Sequence, residues 1–435
     1  MTGRARLILL VATGAVLAGC LAAAVLLAVQ LVSGVGIDAE LSRIREQGAP
    51  AASVELTAPP FPKSMNAASV YAEAVAEMHR CGIYSSTDTF RAFCCKRNRD
   101  ADPRLSSQVR AALPRCGRVI SLAQRASRMP LCRFPIEWKK GASATMPHYE
   151  HVKQLAAIVM AKAIVEAREG RGDEALRLVG TAFAMSQSLK DEPAIMAQSA
   201  RLTLVRQASH ALRECLAHGG FGAAQARCLL ATVSRIDLTD SVRIAMCGER
   251  TFGIGVFEDL RENPEGLGLG PPGITACEIL QRTLTNADEM CYLRRMAEQV
   301  KAARLPYRKI RGAGTAHEMP CPEYAVVSLA LVPSVECAAL WRDQAIAELA
   351  GSQAALALEL YRLRFGRYPV TLADLRAKLA CRLPKDPFSG KALVYRQRGR
   401  GYVLYSIGPD LTDDGGDPPR PSPDSCRGDI LWKKT

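Results

Sequence analysis

The longest unbroken apolar pattern in the chain stands at its N-terminus. No residue between Arg6 and Asp38 is charged, and Leu7 to Val32 is interrupted only by Thr13, Gln30 and small residues. As a helix this run reaches about 39 Å at about 1.5 Å per residue, more than the ~30 Å of a bilayer's hydrocarbon core. The pattern predicts a transmembrane helix and assigns residues 1–37 to a membrane anchor. Arg4 and Arg6 precede it while Asp38 and Glu40 follow, so the positive-inside bias places the short N-terminus in the cytoplasm and the rest outside. The expected location is the bacterial inner membrane, single-pass, with the bulk of the chain periplasmic.

A second reading uses the same residues. Leu17-Ala18-Gly19-Cys20 matches a bacterial lipoprotein signal, which makes Cys20 a lipidation candidate. A mature lipoprotein usually continues with polar residues, whereas Leu21 to Val32 stay apolar, so an uncleaved signal anchor is the preferred reading. Both leave the remaining chain on the outer side of the membrane.

Beyond the anchor the periodicity is mostly helical. Residues 38–64 end in Ala58-Pro59-Pro60-Phe61-Pro62 and read as an extended juxtamembrane linker. Residues 65–303 read as a helical domain. Val70, Ala74, Val75 and Met78 mark one apolar face near its start, and a basic, cysteine-rich connection from Cys81 to Trp138 holds one helix around Leu105 to Leu113. Ala156, Val159, Ala163 and Ala167, then a Gly170-Arg171-Gly172-Asp173 break, then Ala175, Leu178 and Ala182 predict a helical hairpin, with Asp173 capping its second helix. The hairpin resembles a tetratricopeptide unit, but no 34-residue period extends from it. Residues 304–322, basic and rich in Gly and Pro, read as a linker. Residues 323–435 read as a long helix, Asp343 to Arg364, followed by a small C-terminal module. The run from Tyr324 to Trp341 holds Pro333 and Glu336, which argues against a second span. The fold class expected is mainly α, an anchor helix and a helical bundle closed by a small α+β module.

Composition narrows the functions available. The chain has 435 residues, 48% hydrophobic, with a net charge of +14, which excludes a disordered tail, a collagen-like fibre and a short disulfide scaffold. Its basic residues are scattered along helices with few aromatics between them, so nucleic acid is not the expected partner. Apart from Cys20 there are fourteen cysteines and no C-x-x-C, which argues against a zinc ribbon or a thioredoxin-like dithiol. In an oxidising compartment some bridges are expected, and Cys381 with Cys426, flanking the C-terminal module, is the disulfide candidate.

That module changes the character of the sequence. Gly366-Arg367-Tyr368-Pro369 is followed by a short helix with Leu372 and Leu375, then by Leu383-Pro384-Lys385-Asp386-Pro387-Phe388-Ser389-Gly390. Two strand-like segments follow, Ala392 to Arg396 and Tyr402 to Ser406, then Gly408-Pro409-Asp410-Leu411-Thr412-Asp413-Asp414-Gly415-Gly416-Asp417, and the chain nearly closes on Asp429-Ile430-Leu431-Trp432. The order resembles the globular end of the major pseudopilins of type II secretion systems. That family carries a long helix, a Gly-x-Tyr-Pro turn, a Leu-Pro-x-Asp-Pro-aromatic-Gly segment, a Tyr, a Ser-x-Gly-x-Asp loop and a final Asp-Ile before Trp. The resemblance covers about a sixth of the chain.

Residues 401–429 hold six carboxylates, Asp410, Asp413, Asp414, Asp417, Asp424 and Asp429, against Arg420 and Arg427. Crowded carboxylates repel unless a cation bridges them, and calcium takes six to eight oxygen ligands. Asp410-x-Thr412-x-Asp414-Gly415 has the spacing of the first half of an EF-hand loop but lacks its final glutamate. The calcium ligands expected are Asp410, Thr412, Asp414, Asp417 and Asp429, and the resemblance implies calcium in the same loop. A solvated acidic turn is the alternative.

The departures from the family are as informative. A pseudopilin starts with a short leader and a Phe-Thr-Leu-x-Glu helix, and one continuous helix joins anchor to module. Here the anchor has no acidic residue, and some 300 mostly helical residues intervene. The module therefore reads as a reused interaction domain, the protein as an extracytoplasmic scaffold for secretion or envelope proteins. An enzyme, for instance a hydrolase using a cleft in the helical domain, is the alternative. It lacks a visible motif: there is no G-x-S-x-G and no P-loop. His148 and His151 have no third ligand at metal spacing, and Glu249 with Arg250 reads as a self-satisfied ion pair.

Overall fold

A computed structural model describes residues 3–57, 59, 61–95, 99, 102–262, 284–313, 321–379, 382–416 and 428–434. Helix α1, Gly3–Glu46, does not stop at residue 37. Side chains from residue 12 to residue 25 are all exposed, whereas Ile37 and Ile44 are buried in a core. One helix therefore leaves the apolar segment and enters the domain without a break, and the first part of the expected linker is helical.

The basic connection holds more than the one expected helix. After α2 (Ala67–Arg80) come α3 (Thr87–Cys94), α4 (Pro103–Ala112) and α5 (Gly117–Ser127). Asn66 caps α2 by accepting from the Ala68 amide at 3.2 Å, and it also exchanges hydrogen bonds with Arg133, accepting from its amide and donating to its carbonyl, both at 2.9 Å. A single cap thus pins the far end of the connection to the start of the bundle.

The predicted hairpin is α6 (His148–Arg168) and α7 (Gly172–Ser186). Asp173 does not cap α7. Its carboxylate accepts from the Gly222 amide at 2.8 Å, where the chain enters α9, so it ties two hairpins together. Helices α8 (Ile195–His218), α9 (Ala223–Ser234), α10 (Ser241–Glu262) and α11 (Thr285–Ala302) follow.

The segment expected to be a linker after residue 303 is packed where it is described. Its helix α12 (Tyr307–Gly312) buries Tyr307 and Ile310, and the Tyr307 amide donates to Asp343 at 2.7 Å. Arg342 donates to Asp343 and to the carbonyls of Ala303 and Leu305, each at 2.7 Å. This buried pair has a hydrogen-bond partner for each charge, the condition under which burial of ions is tolerated. It fastens the would-be linker to the next long helix.

The apolar run from Tyr324 divides at Pro333. A short α13, Val326–Leu331, precedes α14, Val335–Phe365. Ser334 caps α14, and Gly366 ends it in the left-handed conformation at φ 73° that glycine adopts without strain. The helix is 31 residues long and has two environments. Val335, Ala338, Ala339 and Ala347 belong to a core shared with α1, α10, α11 and α12, while Ala345 and the run Leu349 to Leu360 belong to a larger core formed by α2 to α9. It is the spine joining the two.

The chain ends in α15 (Leu372–Leu379) and strands β1 (Val394–Arg398), β2 (Gly401–Ser406) and β3 (Ile430–Lys434). The sheet is antiparallel in the order β1-β2-β3, with Leu404 opposite both Tyr395 and Trp432. The molecule is mainly helical with this one small sheet among the described residues.

The described cysteines are free thiols; Cys381 and Cys426 lie outside the described residues. Cys321, whose thiol donates to the Ala325 carbonyl at 3.4 Å, neighbours Cys291, and burial together with Cys321 pushes the Cys291 thiol up to about 11. Exchange with an external disulfide would join them, the two thiols giving up two protons and two electrons. Protein isolated from an oxidising compartment is expected to yield a Cys291–Cys321 linked peptide on non-reducing mass mapping; both thiols recovered free would refute this.

Candidate functional site in the C-terminal module

Asp386, from the Leu-Pro-Lys-Asp-Pro-Phe-Ser-Gly segment, is 1% exposed. Its carboxylate accepts from the amides of Phe388 (3.1 Å), Ser389 (3.2 Å) and Ile407 (3.4 Å) and from the hydroxyls of Ser389 (2.8 Å) and Ser406 (2.6 Å). A carboxylate surrounded by donors holds a turn closed without a cation, because each oxygen can accept about two hydrogen bonds. The turn drives Phe388 into the core beside Tyr307, edge to face at 6.1 Å. Sequence reasoning quoted this motif but gave Asp386 no role; the signal was an Asp-Pro followed by Ser and Gly, which is turn chemistry.

The acidic loop follows β2. Asp410 accepts from the Thr412 amide at 3.3 Å and the Gly428 amide at 2.8 Å. Asp413 accepts from the Tyr405 hydroxyl at 2.9 Å and the Gly415 amide at 3.0 Å. Asp429, fully buried, returns from the C-terminus and accepts from the Gly416 amide at 2.7 Å and the Asp414 amide at 3.5 Å. Burial raises the Asp429 carboxyl above its usual range, the Asp413 and Asp414 carboxylates raise it further, and the two amides oppose them. Burial and Asp413 push the Tyr405 hydroxyl up to about 12.

The structure thus brings Asp410 and Asp429 to the same loop, as the sequence suggested. Thr412 and Asp414 enter through their amides, and Asp417 lies outside the described residues. Among the described residues no three His, Cys, Asp or Glu side chains form a metal set, so the described ligands do not by themselves fit a calcium ion. Asp413, left out of the expected set, is one of the two carboxylates whose charge raises Asp429.

The sheet is seated on α14. Trp432 packs against Gly351, and Arg213 of α8 lies over the Trp432 ring at 4.3 Å. Tyr368 donates to the buried Glu359 at 2.6 Å, Arg362 reaches the same carboxylate at 2.9 Å, and Lys434 stands 3.6 Å away.

No family model, curated protein or solved structure matches this chain. Its function must be argued from the arrangement of its own residues.

The other residues singled out from sequence are placed as follows. Cys20 lies on the exposed stretch of α1. His148 is buried, paired with Glu192 at 3.1 Å and stacked on Phe134 at 4.3 Å, and no third ligand joins it and His151 among the described residues. The expected Glu249–Arg250 pair does not form, because successive helical residues point to different sides. Glu249 accepts from the Ile195 amide at 2.9 Å, and burial raises its carboxyl. Arg250 is 3% exposed, and its Nε and Nη2 have no hydrogen-bond partner.

Glu249 lines a cavity of about 270 Å³ together with Met146, Ile195, Phe252, Val256 and Leu331. It is the one titratable group in that lining. A carboxyl in an apolar cavity can hydrogen-bond a ligand, but no nucleophile or second acid–base group stands beside it among the described lining residues.

Proposed function

We propose that the protein is a membrane-anchored extracytoplasmic scaffold whose C-terminal module, pseudopilin-like in plan, is an interaction surface within secretion or envelope machinery. The observation that carries this reading is the docking of a three-stranded antiparallel sheet on a 31-residue helix, in the element order of the resemblance. The anchor supports it, since α1 is long and apolar enough to cross a membrane and runs unbroken into the core. In vivo photo-crosslinking from Arg396 and Arg398, on the exposed strand β1, tests it. The expected product joins this protein to an envelope or secretion protein and vanishes when the probe sits on Glu73, exposed on α2. Products to lipid or to this chain alone would overturn the reading.

Calcium belongs to the same proposal. Its ligand set would need Asp417 in addition to Asp410 and Asp429, and its role would be to neutralise the buried Asp429 and its carboxylate neighbours. Calcium added to the full-length protein in detergent is expected to produce a calorimetric binding signal and to raise Tm, with both effects lost in Asp429→Asn. Absence of heat and of thermal stabilisation would leave the loop as an acidic turn closed by its own amides.

The enzyme reading has one observation in its favour, the cavity at Glu249. A single acid without a partner group supports ligand binding more than catalysis.

A further inference from the structure

Helix α13 is short, uncharged and exposed on one side. From Tyr324 to Ser334 the chain has no charged residue. Tyr324 is 40% exposed, Val326 53% and Leu329 65%, whereas Val327 and Ser328 between them are buried. The buried side is held by Asp288 of α11, which accepts from the amides of Val327 and Ser328 at 3.0 Å each and from the Ser328 hydroxyl. The exposed apolar side is therefore a fixed feature, set by a buried carboxylate that caps the start of the helix.

Its height in the molecule is set by α1. Gln30 accepts from the Asn286 amide at 3.2 Å, and the Asn286 side chain donates to the Gln30 carbonyl at 3.1 Å. Gly34 lies beside Asn286 and Gly36 beside Met290, so α11 runs alongside α1 in the same direction. Asp288 is two residues beyond Asn286, about 3 Å of axial rise. The apolar stretch from Leu7 to Val29 spans about 34 Å as a helix, enough for the ~30 Å core, so the polar Gln30 marks its outer limit. Val32 and Val35, beside this level on α1, are 74% and 73% exposed.

We infer that Tyr324, Val326 and Leu329 sit in the lipid interface of the same membrane that α1 crosses, as a second, peripheral contact. The inference rests on the reading of α1 as a membrane span. The occupant is argued from continuity: the apolar side of α13 starts at the level where α1's lipid-facing surface ends, and the two helices are joined through α11. A tyrosine at that level suits the headgroup region, where its ring and hydroxyl meet both environments. At six residues α13 is too short to cross, so it can only rest in the interface.

The test uses the full-length protein in vesicles of phosphatidylethanolamine and phosphatidylglycerol, with a fluorescent amino acid placed singly at Leu17, Val326, Leu329 or Val370 and brominated acyl chains as quenchers. Each position is exposed, so the label leaves the core intact. Strong quenching is expected at Leu17, clear quenching at Val326 and Leu329, and none at Val370 in the C-terminal module. Quenching at Leu17 with Val326 and Leu329 behaving like Val370 would overturn the inference and leave the anchor standing. No quenching at Leu17 would overturn both. Shielding at Leu329 that rises with protein concentration and ignores the brominated lipid would assign this face to a second copy of the chain, which also overturns it.

Discussion

Gly248→Ala is expected to destabilise the protein by about 3 kcal/mol or more, although it exchanges a poor helix former for the best one. In a helix interior the propensity difference alone would stabilise by roughly 1 kcal/mol, so the sign of the result decides between two explanations. Gly248 lies in α10 against the segment that leads into α8, and a Cβ built there would overlap the Pro193 carbonyl oxygen and carbon. Backbone atoms cannot rotate aside as a side chain can. Relief requires α10 to slide away, which would break the Glu249 contact with the Ile195 amide and disturb the bond from the Tyr292 hydroxyl to the Glu249 carbonyl at 2.7 Å. Urea unfolding measures the effect. Gly180→Ala, in α7, is the control, since its Cβ would stand 3.4 Å from Leu229 in ordinary contact; it is expected to be neutral or stabilising.

Glu348→Gln is expected to cost about 3 kcal/mol at neutral pH, with the loss shrinking in acid. Glu348 is buried on α14, where its carboxylate accepts from His210 at 3.1 Å and pairs with Arg213. Burial pushes its pKa up, but Arg213 and His210 outweigh burial and hold it at about 2, below the ordinary 4.5. A carboxyl with a depressed folded pKa stabilises fully above its unfolded value and loses that contribution as pH falls through the folded one. The wild-type advantage should therefore be complete above about 4.5 and fade toward about 2. Removing the charge leaves Arg213, and the half-buried Arg206 that Glu348 also steadies, without compensation. A constant difference across that window would show that packing rather than charge is lost.

What the sequence made legible follows the physics of each signal. The N-terminal apolar helix, the helical hairpin at Gly170 to Asp173 and the long helix to Arg364 depend on period and composition, which are local, and the structure has helices there. The end of α1 was not legible: Asp38, Glu40 and Arg43 look like a solvated linker, while Ile37, Leu41 and Ile44, spaced three and four apart, turn toward a core built mostly from residues after 240. The packed state of 304–313 escaped notice for a similar reason, since Arg342 and Asp343, which hold it, are 30 or more residues away. In the C-terminal module the acidic loop was visible as charge, but charge does not say which amides each carboxylate will face. Of the carboxylates that organise the structure, Glu348 is a lone acid in an apolar run and Asp386 a lone acid in turn-forming surroundings, whereas Asp288 stands beside Glu289. Isolation is the signal by which the first two can be recognised.

The unbroken passage of α1 from the exposed apolar stretch into the core has a consequence for how partners arrive. A folded domain on a flexible leash samples a volume, and leash length tunes its effective concentration near a target. With α1 crossing a membrane as proposed, and with no leash, each point on this domain would keep one distance and one heading relative to the membrane plane. Its encounters with other membrane proteins would then be lateral collisions in two dimensions, and a partner's binding face would have to stand at the matching height. Inserting a Gly-Ser segment between Glu46 and Ala51 would exchange that fixed geometry for reach.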